Sequence, residues 1–184
     1  MKNIVITGSA RGAIIETLEG DNTRPTAERA KEALFSMLQF ELEGRSILDL
    51  FAGSGQMGLE ALSRGAESAI FVDNSAESLK VVTSNVAACK IEASSKIDRS
   101  DALSFLTLTK EKFDIAFLDP PYAAGLLDKA LILATQKMSD FGIIICEHPA
   151  EVELPEAVGG FTVYKKYRYG KINITTYKKE AEDE

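Results

Sequence analysis

Histidine occurs once in this 184-residue chain and cysteine twice, and no long apolar run is present. His148, Cys89 and Cys146 form no cluster with metal-ligand spacing, so no metal is expected. One cysteine falls in a helical pattern and the other in a strand pattern, which predicts two buried free thiols rather than a bridge. No stretch approaches the roughly 18 apolar residues of a membrane span. The first seven residues lack the apolar segment and cleavage site of a signal peptide. A cytoplasmic location is expected, with no membrane contact.

Net positive charge is missing too. An excess of acids leaves −7, which argues against indiscriminate nucleic-acid binding. The charge is uneven, however. Lys165, Lys166, Arg168, Lys171, Lys178 and Lys179 share one stretch with no acid among them, interleaved with Tyr164, Tyr167 and Tyr169. Such a stretch is either a solvated sheet edge or a surface for RNA. Four acids close the chain at 180–184.

Apolar periodicity organises the rest. A small N-terminal β-hairpin is expected from Ile4–Thr7 and Ala13–Thr17, within an extension over residues 1–20. A polar loop follows, then a helix from an N-cap at Thr26 to about Phe40, with Ala30, Leu34, Met37 and Leu38 on one face. Strands near 46–50, 68–72, 96–99, 113–118 and 142–147 alternate with helices near 56–64, 75–89, 101–109 and 126–138. That alternation predicts an α/β fold with a doubly wound, Rossmann-like parallel sheet. Runs at 161–168 and 172–178 around Gly170 add a terminal hairpin. No repeat or low-complexity block interrupts the chain, and residues 1–184 read as a single domain.

Two motifs carry chemistry. In the first, Ile47–Leu50 runs into Phe51-Ala52-Gly53-Ser54-Gly55, and Gly58 completes G-x-G-x-x-G. A strand, a glycine turn and a helix start are the parts of a nucleotide-binding βα unit. Asp73 closes the next strand, within reach of ribose hydroxyls. Asp49, just before the glycines, suits the ammonium of an amino-acid-like ligand, and a pyrophosphate would not welcome it. S-adenosylmethionine has both that ammonium and a ribose.

The second motif is Asp119-Pro120-Pro121-Tyr122, at the end of an apolar strand. Proline lacks an N–H and holds the preceding residue extended, so a carbonyl is left to accept beside the Asp119 carboxylate. Tyr122 offers a face for stacking a nucleobase. Acceptors beside a stacking ring suit a planar amine, although a plain Pro-Pro turn would read the same way. Gly53–Gly55, Asp73, Asp101 and Asp119 all fall at expected strand C-termini, where open α/β sheets bind ligands. They are therefore expected to share one crevice.

Together, D-x-F-A-G-S-G from Asp49, V-D-N at Val72–Asn74, S-D-A at Ser100–Ala102 and D-P-P-Y resemble a class I S-adenosylmethionine-dependent methyltransferase. With Arg24-Pro25-Thr26 and Gly58–Ala66, the chain is similar to the RsmD-type bacterial family that methylates the N2 of a guanine in 16S ribosomal RNA. The resemblance implies a seven-stranded methyltransferase sheet and a 16S rRNA partner, within a small-subunit assembly. It implies cofactor contacts from Asp49, Phe51, Ala52, Gly53, Ser54, Gly55, Asp73, Asn74, Asp101 and Ala102, and catalysis by Asp119, Pro120, Pro121 and Tyr122. Asn74 can instead cap the next helix, and that role is slightly favoured.

For RNA, the candidates are Arg11, Arg24, Thr26, Arg29 and Lys171; Arg24, held extended before a proline, can fork onto a phosphate. The N-terminal hairpin carries only Arg11 where the family usually has several bases. Two alternatives stay open: transfer to another planar amine (a DNA adenine or a protein glutamine), and a nicotinamide-dependent oxidoreductase.

Overall fold

The computed structural model describes residues 2–5, 7–18, 25–122 and 125–179, and the side chains of all of these except 2, 3, 25 and 26. The chain opens with an antiparallel pair, β1 (Lys2–Ile4) and β2 (Ile14–Glu16), in which Ile4 faces Ile14. This is the expected hairpin, with its ladder nearer the N-terminus. Helix α1 (Pro25–Leu38) follows. Next come β3 (Ser46–Leu50), α2 (Gln56–Ser63), β4 (Ser68–Asp73), α3 (Ala76–Cys89), β5 (Ser95–Arg99) and α4 (Ala102–Leu108). The chain continues through β6 (Phe113–Leu118), α5 (Leu126–Thr135), β7 (Met138–Pro149), β8 (Ala157–Val158), β9 (Phe161–Tyr169) and β10 (Ile172–Lys179).

The main sheet has the order β5-β4-β3-β6-β7-β10-β9-β8. Its first five strands are parallel, and β10, β9 and β8 are antiparallel. The sheet therefore has eight strands where seven were expected. The extra one is the two-residue β8 at the edge, too short to leave a periodic signal.

Alternation within the strands builds the two cores. Ile47, Ile115, Phe117, Ile143 and Ile145 face α1, α2 and α3, where Leu34, Phe35, Leu38, Leu59 and Val82 join them. Leu48, Leu50, Ala116, Leu118, Ile144 and Cys146 face α4 and α5, with Phe105, Leu106, Leu127 and Leu131. Burying each such side chain contributes about 1.5–3 kcal/mol. Cys89 and Cys146 are buried free thiols, as expected.

Several expected boundaries move. Pro25 opens α1, so Thr26 lies inside the first turn and is not the N-cap; proline suits that opening position because its missing N–H needs no partner there. The helix also stops at Leu38, short of Phe40. α5 ends at Thr135 and β7 begins at Met138, well before 142. Asn74 does not cap α3. Ser75 does, its Oγ accepting from Ser78 N at 3.2 Å.

The N-terminal hairpin is fastened to the helices beneath it. Thr7 N donates to Glu60 Oε1 (3.0 Å) and Ala10 N to Ser63 Oγ (3.0 Å). Gly8, at φ +97°, passes so close that a Cβ would lie 1.7 Å from the Ser63 carbonyl oxygen. Asn85 of α3 accepts from Glu16 N (2.7 Å) and donates from Nδ2 to the Glu16 and Ser54 carbonyls (both 2.9 Å). One side chain thus ties the hairpin to the glycine loop.

Candidate active site

Strand order reverses at β3: the chain moves outward to β4 and β5, then returns to place β6 on the other side of β3. At such a switch point the loops after two adjacent strands part and leave a crevice. The register Leu50↔Leu118 puts the ends of β3 and β6 level, so Phe51 and Asp119 begin its two walls.

The glycine loop forms one wall. Phe51 (φ 63°), Gly53 (φ 56°) and Gly55 (φ 81°) all adopt left-handed backbone, and a non-glycine residue there marks a strained turn. Two carboxylates hold the loop. Asp73 accepts from Gly53 N at 3.0 Å with one oxygen and from Ser75 N at 2.8 Å with the other. Asp49 accepts from Gly58 N at 2.9 Å, linking the end of β3 to α2. Gly58 is required because a Cβ would sit 2.4 Å from the Phe71 ring. Burial pushes the Asp49 carboxyl up to about 7; the Gly58 hydrogen bond opposes the shift and the nearby Asp73 charge adds to it.

The D-P-P-Y turn forms the other wall. Pro120 is buried, while Asp119, Pro121 and Tyr122 face outward, the Tyr122 ring 66 % exposed. Partial burial raises the Tyr122 hydroxyl, and the charges of Asp119, Glu147 and Glu151 raise it further. A cavity of about 670 Å³ joins the walls. It is lined by Asp49, Phe51, Ala52, Gly53 and Ser54, by Asp73, Asn74, Asp101 and Ala102, and by Asp119, Pro120, Pro121 and Tyr122. Of the residues expected to touch cofactor or reacting base, Gly55 alone is outside the lining; it is the N-cap of α2. Asp101 caps α4, accepting from Ser104 N at 3.0 Å.

A family model described as "Conserved hypothetical protein 95" matches residues 4–178. YlbH of Bacillus subtilis (strain 168), provisionally named an rRNA methyltransferase, is 39% identical over 96% of this chain and 99% of its own. The ribosomal RNA small subunit methyltransferase D of Escherichia coli (strain K12) is 31% identical over 98% and 91%. The chain belongs to the RsmD family. A solved Escherichia coli structure, provisionally named methyltransferase yhhF, superposes with a TM-score of 0.89 at 30% identity, covering 99% of this chain and 100% of that one. The doubly wound sheet is thus the Rossmann-like methyltransferase fold.

In this RsmD-family chain three of the residues expected to hold RNA, Arg11, Arg29 and Lys171, lie outside the cavity lining. Arg24 and the Thr26 side chain fall outside the described residues. Arg11 and Arg29 are exposed on the hairpin turn and on α1, and Lys171 is exposed at the turn before β10, beside the cavity residue Ile172. The basic stretch is also less available than its composition suggests. Lys166 pairs with Glu156, Lys178 with Glu41 (3.3 Å) and Lys179 with Asp140 (2.8 Å). These acids all lie outside the basic stretch itself, so a count of local charge misses them.

Three charged cavity residues had not been expected: Glu28 and Lys31 from α1, and Glu147 from β7. Lys31 Nζ lies 3.8 Å from Glu60, a fully buried carboxylate that also takes Arg64 Nε at 2.9 Å. Burial lowers the Lys31 ammonium, and the Glu60 charge opposes that. Only tertiary structure brings this network together. Glu147 differs, because it closes the strand expected at 142–147 and the strand-end rule would have found it.

Proposed function

We propose that the protein transfers a methyl group from S-adenosylmethionine to the exocyclic N2 of a guanine in 16S ribosomal RNA. The observation that carries this reading is the meeting of the glycine loop and the D-P-P-Y turn across one cavity, in a chain of the RsmD family. The donor set fits the cofactor. Asp49 is a buried carboxylate on the cavity wall, raised by burial, and an α-ammonium there would favour its ionised form. Asp73 would hold the ribose hydroxyls, Asn74, Asp101 and Ala102 would hold the adenine, and Phe51–Ser54 would hold the rest of the ligand. Bound there, S-adenosylmethionine supplies an electrophilic methyl group.

The remaining work falls to the chain. The guanine amine is a poor nucleophile because its lone pair is delocalised into the ring. Asp119 and the Pro120 carbonyl accept its two hydrogens and so localise that lone pair toward the methyl group. Asp119 takes the proton released on transfer. Tyr122 stacks the base and Pro121 fixes the turn. Arg11, Arg24, Thr26, Arg29 and Lys171 would contact RNA, on a cytoplasmic small-subunit precursor.

Two measurements on one variant test this assignment. Asp119→Ala should bind S-adenosylhomocysteine within about twofold of wild type while methyl transfer falls at least about a hundredfold. Near-normal turnover would remove Asp119 from the chemistry. Calorimetric binding of NAD without binding of S-adenosylhomocysteine would overturn the whole reading.

A further inference from the structure

The cavity holds a second acid that neither cofactor binding nor methyl transfer uses. β6 and β7 pair in parallel with Leu118 opposite Cys146, so the next residues, Asp119 just past β6 and Glu147 within β7, follow side by side. Both line the cavity, and both act electrostatically on the Tyr122 hydroxyl. On its other side Glu147 pairs with Ile174 of β10, whose side chain also lines the cavity. Glu147 is thus an acid between Ile174 of β10 and the D-P-P-Y turn. Among the described residues no lysine or arginine forms an ion pair with it, and burial pushes its carboxyl up. A carboxylate in this position is stabilised by an N–H donor arriving with the substrate.

Guanine brings that donor. Its reacting edge presents N1–H beside the N2 amine, whereas the corresponding N1 of adenine is an acceptor. With the N2 hydrogens taken by Asp119 and Pro120, N1–H still needs a partner. Neighbouring strands lie about 4.8 Å apart, a gap that the glutamate side chain bridges. We propose that Glu147 accepts the N1–H of the target guanine and thereby selects guanine as the substrate base. This inference rests on the guanine-N2 reading above.

The test uses the intact protein and small-subunit rRNA built by splinted ligation, with guanine or 2-aminopurine at the position mapped as modified. 2-Aminopurine keeps the reacting amine but has a bare acceptor at N1. Wild type should prefer guanine by about a hundredfold or more in kcat/KM, as sites built around a hydrogen bond reject the analogue lacking it. Glu147→Gln can turn an amide N–H toward the bare N1 while its amide oxygen still accepts from guanine, so its preference should narrow to within about tenfold, mainly through gain on 2-aminopurine. S-adenosylhomocysteine affinity should stay at the wild-type value, showing that the cofactor wall is intact.

If Glu147→Gln slows both substrates by the same factor, Glu147 does not read N1–H and the proposal is overturned. Should that variant not fold, Glu147→Asp withdraws the carboxylate by one methylene and must narrow the ratio in the same direction. A wild-type enzyme that methylates no guanine N2 in the same assay overturns the underlying reading instead.

Discussion

At the scale of single residues, Asp49 makes the sharpest demand. Its carboxyl is raised to about 7, against 3.8 for an ordinary aspartate. The folded state therefore holds this proton more tightly than the unfolded chain does. The associated stability is fully present below about pH 4 and is lost as pH rises through about 7. An ammonium ligand favours the ionised form and pulls the value back down. S-adenosylhomocysteine affinity measured by calorimetry should accordingly rise between pH 5.5 and 7, by at most about tenfold per unit, and level off above 7. A flat profile would mean that Asp49 serves only to hold Gly58. Tyr122, two-thirds exposed at the mouth, should behave in the opposite way. Tyr122→Ala should cost about 1–3 kcal/mol in RNA binding by lost stacking and leave cofactor affinity unchanged.

At the scale of elements, the buried Lys31–Glu60–Arg64 network joins α1 to α2, and Thr7 N brings the N-terminal hairpin to the same carboxylate. Glu60→Ala should destabilise the protein by about 3–5 kcal/mol in denaturant unfolding, because Lys31 is left as a buried, unpaired charge. A loss below about 1 kcal/mol would show that the network contributes little. None of it was legible in the sequence, since a lysine on a helix face reads as solvated until its distant partner is known. The parallel strands were legible, because each is a short apolar run closed by turn residues. Those same closures placed Gly53, Asp73, Asp101 and Asp119 at one end of the sheet. Legibility failed where neighbouring residues competed for one job, as with Asn74 and Ser75. It failed again where an element was too short for a period, as with β8. Glu147 differs again, because it follows an apolar run, Ile143–Cys146, whose pattern marks burial and by itself carries no sign of the acid's place in the cavity.

At the scale of the whole molecule, an acidic protein must select its RNA by shape and by a few placed bases rather than by bulk charge. Ion pairs at Lys166, Lys178 and Lys179 reduce the basic stretch further. Arg29→Ala should lower the slope of log affinity against log salt by about one, which binding measured at several salt concentrations reads directly. An unchanged slope would take Arg29 out of the RNA contact. The central claim concerns the product. The most direct measurement is mass spectrometry of nucleosides from small-subunit rRNA, in cells with and without this protein and after methylation in vitro by the purified enzyme. N2-methylguanosine should be missing from the deficient cells and restored by enzyme with S-adenosylmethionine; an unchanged level, or a methyl group on adenine instead, would contradict the account.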